Sequence, residues 1–139
     1  MAKVGVIGDI HGNLEAARFM LWSMHKMGIT SVIQVGDFGI YTDNNGMKFA
    51  HKVSDLCVLW DIELWVVPGN HENHRVVNEL LGEDRTTRKE YRPNVSVLPR
   101  GYRWEWGGMS FVALGGAPSV DRGWRVRANR DLNPDAKNK

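Results

Sequence analysis

Three short polar clusters interrupt otherwise apolar stretches of the sequence: Gly8-Asp9-Ile10-His11-Gly12, Gly36-Asp37-Phe38-Gly39 and Gly69-Asn70-His71-Glu72. In an extended Asp-x-His the two side chains point the same way, so Asp9 and His11 can grip one cation. Asp37 is a second carboxylate, able to bridge two cations ~3.5–4 Å apart, the spacing of sites that clamp the oxygens of an in-line displacement at phosphorus. Asn70 offers a neutral oxygen ligand. Carboxylate, imidazole and amide oxygen together suit Mn, Fe, Zn or Mg, and the flanking glycines let the backbone turn sharply and approach a ligand closely. Singly, each has a plainer reading, because an Asp after a strand is commonly a turn or cap residue and a lone His is commonly structural. Three such clusters at three successive strand ends point to chemistry.

The elements that must position them read as a strand-turn-helix rhythm, the pattern of a parallel α/β sheet. Lys3 to Ile7, Ser31 to Val35 and Glu63 to Val67 are predicted strands. Asn13 is a plausible N-cap for a helix in which Leu14, Ala17, Leu21 and Met24 share a face until Gly28 stops it. A second helix places Phe49, Val53, Leu56, Cys57 and Trp60 on one face, and Arg75 to Leu81 forms a short third helix closed by Gly82. Val95 to Leu98, Tyr102 to Trp106 and Met109 to Leu114 read as short strands, the last two joined as a hairpin through Gly107 and Gly108. Ligands in open α/β sheets gather at the carboxyl ends of the strands, so the three polar clusters converge there.

In these motifs the sequence resembles the calcineurin-like metallophosphoesterases, whose first three motifs are Asp-x-His-Gly, Gly-Asp and Gly-Asn-His followed by Asp or Glu. The likeness is close over about the first 75 residues, and Ala113 to Arg122 resembles a stretch shared by bacterial and phage members. The resemblance implies an α/β fold in which two sheets pack face to face with helices outside. It implies that Asp9 and His11 hold one metal, that Asp37 bridges two, and that Asn70 holds the other. His71 would contact the phosphate and assist the leaving group, with a metal-bound hydroxide as nucleophile. The implied activity is hydrolysis of a phosphomonoester or phosphodiester.

The departure from the family pattern concerns the end of the chain. The family closes its site with further histidines, whereas the five here are His11, His25, His51, His71 and His74. This predicts a domain over residues 1–130 that is incomplete at its C-terminus, with part of the second sheet unpaired, followed by a frayed tail over 131–139. One metal is expected to be held well, through Asp9, His11 and Asp37, and the second weakly. The alternative is a non-catalytic remnant, or one subunit of a split phosphoesterase that binds one metal and is completed by a C-terminal polypeptide or by a second copy.

The remaining candidates carry less. His25 and His51 read as surface residues and His74 as solvent-facing. Trp22, Trp60, Trp65, Trp104 and Trp106 fall on predicted helices and strands, where core or half-buried packing is favoured over nucleobase stacking. Arg122, Arg125, Arg127 and Arg130 beside Trp124 allow a third reading, nucleic-acid binding. Family members that act on phosphoproteins carry an Asp and an Arg soon after Gly-Asp; Phe38-Gly39-Ile40-Tyr41 stands there instead, which disfavours phosphoproteins and leaves small phosphodiesters, nucleotides or nucleic-acid ends. The composition, with 42% hydrophobic and 24% charged residues over 139 positions and a net charge of +2, is that of a folded globular chain with no call for a polyanion partner. No apolar run approaches the ~20 residues of a membrane span. The single Cys57 excludes an internal disulfide and a thiolate cluster and suggests a reducing compartment, so a cytoplasmic location is expected.

Overall fold

The computed structural model describes residues 3–116 and Gly123. Within them, strands β1 (Gly5–Ile7), β2 (Ser31–Gln34) and β3 (Glu63–Val66) alternate with helices α1 (Leu14–Lys26), α2 (Asn44–Leu59) and α3 (His74–Leu81). Then come β4 (Lys89–Arg92), β5 (Val95–Val97), β6 (Arg103–Trp106) and β7 (Met109–Val112). The first five strands form one sheet in the order β1-β2-β3-β5-β4, parallel except for β4. Local chemistry starts and stops the helices, at Asn13 and Gly82 as expected. The Asn13 side chain accepts from the Ala16 N–H, and Asp43 and Asn73 cap α2 and α3 in the same way. Gly82 ends α3 with a positive φ of 61°.

Register divides the sheet into two faces. Ile7, Gln34, Val66 and Val97 form one cross-strand row, and Val32, Leu64 and Val95 another. Both rows turn toward the helices, where the apolar residues among them pack with Ala17 and Leu21 of α1, Phe49, Val53 and Cys57 of α2, and Val77 and Leu81 of α3. The opposite face carries Val6, Ile33, Trp65 and Ser96 in register. Against it sits the second sheet, the β6–β7 hairpin, turned by Gly107 and Gly108 at φ of 56° and 78°. Its aromatic side chains, with Tyr102 just before β6, enclose Trp65: the ring centroids of Trp106, Trp104 and Tyr102 lie 4.4, 5.7 and 6.4 Å away. The expected α/β fold with two facing sheets is therefore present, with the described helices on one outer face.

Three details differ from expectation. β4 was hidden by its composition, because Lys-Glu-Tyr-Arg has no apolar alternation; its ladder with β5 and a turn at Asn94 (φ 59°) make it a strand. Trp60 lies one residue past α2, stacked on His25. Trp22 is 45% exposed rather than packed, with the Lys26 ammonium over its ring. The predicted tail 131–139, and Arg122, Trp124, Arg125, Arg127 and Arg130, lie outside the described residues.

Cys57 is fully buried, and burial pushes its thiol pKa from 9.0 up to about 12. A folded-state value above the unfolded one means that this group's stabilising contribution is complete below pH 9 and is lost as pH rises toward 12. The native chain should accordingly resist a thiol reagent at pH 8 and react fully in denaturant. Rapid native labelling would contradict this placement.

Candidate metal centre

Each polar cluster begins within three residues of the end of its strand, so β1, β2 and β3 deliver Asp9, Asp37 and Asn70 to the same sheet edge. Backbone hydrogen bonds then tie the loops together. The N–H groups of Asp9, His11 and Gly12 donate to the carbonyls of Gly36, Asp37 and Phe38, and Asn73 N–H donates to Ile40. The buried Gln34 amide both donates to and accepts from the Gly36 backbone, holding the turn that precedes Asp37.

Side-chain oxygens of Asp9 and Asp37 and a ring nitrogen of His11 lie within 4.8 Å of one another. His11 Nε2 is 2.7 Å from Asp9 Oδ1 and 3.7 Å from Asp37 Oδ2. The convergence has a different origin from the one expected. Asp9 and His11 are not extended; they have φ of 58° and 50°, and Asp37 has 54°. β1 ends at Ile7, so a left-handed turn, rather than strand alternation, aims the pair. Asp and His visit this region more readily than most residues, and its concentration at three site residues is the local strain commonly found where function is built.

Asn70 lines the same groove as Asp9 and Asp37, a space of about 330 Å³ bordered also by Pro68, Gly69, Gly115 and Gly116. The His71 ring stands 5.1 Å from that of His11, nearly perpendicular to it, and its backbone N–H donates to Asp37 Oδ1 at 2.9 Å. A side chain at Gly69 would collide with the Asp37 carboxylate and backbone nitrogen, so glycine is required for the third loop to approach the second. His25, His51 and His74 are exposed, and none belongs to the cluster.

The donor set suits a hard or borderline divalent cation. Two carboxylates and an amide line one groove, the His11 imidazole stands against both carboxylates, and among the described residues the ion-pair partner of both Asp9 and Asp37 is His11, with no Lys or Arg neutralising them. The Asp37 side chain is 18% exposed against 81% for Asp9, which makes Asp37 the enclosed member of the set.

Two contributors were not legible as such. Glu72 is 6% exposed, and its carboxylate accepts from the N–H groups of Phe38 at 2.6 Å, Gly39 at 3.0 Å and Ile40 at 2.8 Å. It thereby holds the loop that carries Asp37. Its place in the third cluster was the only signal. The Tyr41 hydroxyl has its pKa raised by burial and then by the charges of Glu72, Asp37 and Asp43, so it remains a neutral donor beside the site; nothing in the sequence marks it.

No helix among the described residues is long and apolar enough to cross a membrane. No curated protein matches the chain. A family model for calcineurin-like phosphoesterases matches residues 2–136. That span takes in all three polar clusters and both sheets, and by it the chain belongs to the calcineurin-like phosphoesterase family.

Proposed function

We propose that this chain hydrolyses a phosphomonoester or small phosphodiester, with Asp9, His11, Asp37 and Asn70 holding divalent metal and His71 acting on the phosphate. Membership of a metal-dependent family of phosphoester hydrolases supplies the reaction class. The observation that carries the reading is the convergence of Asp9, His11 and Asp37 within 4.8 Å at the edge of one sheet. The chemistry a divalent cation supplies when bound is charge stabilisation at the phosphoryl oxygens and acidification of water.

The chain's own part is positioning and proton handling. Asp37 has one carboxylate oxygen engaged by the His71 N–H, which leaves Oδ2 directed toward His11. The His71 imidazole borders the same cluster, where it can donate a proton to the departing oxygen. Phe38 and Ile40 are fully buried, so neither side chain is presented to the groove, which favours small substrates over phosphoproteins.

Turnover of bis(p-nitrophenyl) phosphate and p-nitrophenyl phosphate should be lost in EDTA and restored by Mn²⁺. Metal analysis after dialysis against Mn²⁺ or Zn²⁺ should find about one ion per chain, lost in Asp9→Ala and His11→Ala and little changed in Asn70→Ala, because three protein ligands suffice for one divalent ion. Turnover indifferent to EDTA would refute the proposal. Retained metal with no turnover on any ester would favour a non-catalytic role.

A further inference from the structure

Beside the metal groove lies a second cavity of about 370 Å³, and the two share Pro68, Gly115 and Gly116. This is the size of a small-molecule site. Its floor is apolar, with Val77 and Leu81 from the buried face of α3 and Leu98 from just past β5. Its polar lining comprises His74, Asn78, Arg85 and Arg100, with no Asp or Glu.

Both guanidiniums differ from four others among the described residues. Arg18 and Arg75 are paired with Glu15 and Glu79, and Arg88 and Arg92 lie over the rings of Trp65 and Tyr91. Among the described residues, the ion pairs include neither Arg85 nor Arg100. Arg100 Nη1 donates to the carbonyls of Gly115 and Gly116, which anchors this side chain to the segment separating the two spaces. Among the described residues its other N–H groups have no hydrogen-bond partner and are left for a ligand. Arg85 makes one long hydrogen bond, 3.5 Å to Asn78 Oδ1.

We propose that this cavity is a subsite for a second anionic group on the substrate, so that the preferred class is a phosphate ester whose leaving group carries another phosphate, as in a nucleoside 3′,5′-bisphosphate. Guanidinium is the side chain best matched to phosphate oxygens, and the apolar floor suits the uncharged body of the leaving group. The placement of the scissile phosphate rests on the function proposed above; the anion site does not. In the reaction, a water oxygen bonds to the scissile phosphorus and the P–O bond to the leaving group breaks. The departing oxygen takes a proton, and the leaving group is released with its remaining phosphate.

Calorimetric titration of the full chain with adenosine 3′,5′-bisphosphate in EDTA tests the subsite without turnover. Arg85→Gln should weaken binding about tenfold and Arg85→Glu more strongly, in line with loss of a charge-assisted contact. Arg100→Lys keeps a cation and a donor to the glycine carbonyls, so the fold is preserved, and it should weaken binding by a similar factor. With Mn²⁺ present, Arg85→Gln should lower the ratio of kcat/KM for adenosine 3′,5′-bisphosphate over p-nitrophenyl phosphate about tenfold. Equal affinity in wild type and Arg85→Glu, or no binding in wild type, overturns the subsite even if p-nitrophenyl phosphate is turned over. Absence of turnover together with binding that Arg85→Glu abolishes supports the subsite and sinks the catalytic reading instead.

Discussion

Asp37→Asn should lower metal-dependent kcat/KM on nitrophenyl phosphate esters by roughly 10²–10³-fold, the loss expected when about 3–4 kcal/mol of charge stabilisation is withdrawn. The substitution is nearly isosteric, so its effect isolates charge. Asparagine tolerates the left-handed φ of 54° at this position, and its side-chain oxygen can still accept from the His71 N–H. What disappears is the negative charge and one acceptor facing His11 Nε2 across 3.7 Å. Thermal melting should stay close to wild type while steady-state rates with added Mn²⁺ collapse. A variant that keeps a tenth or more of the activity would exclude Asp37 as a ligand of the working metal.

Glu72→Ala should destabilise the fold by about 3–5 kcal/mol, a large share of the 5–15 kcal/mol typical of a domain. The carboxylate satisfies three backbone N–H groups, on Phe38, Gly39 and Ile40, and Phe38 and Ile40 are fully buried. Each orphaned buried donor costs about 1–3 kcal/mol, and partial hydration of the loop recovers some of the sum. Glu72→Gln should fall between, because its amide keeps one acceptor oxygen but sets an NH₂ against the donors on the other side. The measurement is urea unfolding, with a lower midpoint at unchanged slope. The loop held by Glu72 carries Asp37, so Glu72→Gln should also weaken Mn²⁺ retention about 10- to 100-fold, the usual effect of losing a partner that orients a metal ligand. A Glu72→Ala midpoint within 1 kcal/mol of wild type would contradict the role assigned to this carboxylate.

Much of the molecule was legible because it is written in short spans. Asn13 before an apolar face repeating every three or four residues, Gly82 after Leu81, and Gly107-Gly108 between two aromatic runs each act within a few positions, where capping and φ preference decide the outcome. The strand-helix alternation that brings Asp9, Asp37 and Asn70 to one edge follows from the same local signals, since short parallel crossovers leave few topologies open. The tryptophans of β3 and β6 were read correctly as packing residues, because their strand positions bury Trp65 and half-bury Trp104 and Trp106 between two sheets.

Other features depended on partners far along the chain. β4 is charged and unpatterned, and the ladder it forms with β5 is what makes it a strand. Glu72 reaches loop residues 32 to 34 positions earlier, so no local rule distinguishes it from a solvated glutamate. The left-handed backbone of Asp9 and His11 replaced the extended geometry expected, and the cavity between α3, Leu98 and the Gly115–Gly116 segment exists only once the chain is folded. The sequence by itself determined which residue types suited to a metal stand in the three clusters and which elements hold them, because residue type and local periodicity suffice for both. Tertiary structure alone decided how the loops are locked and what surrounds them, because a buried carboxylate finds its donors, and a cavity its walls, only where distant segments meet.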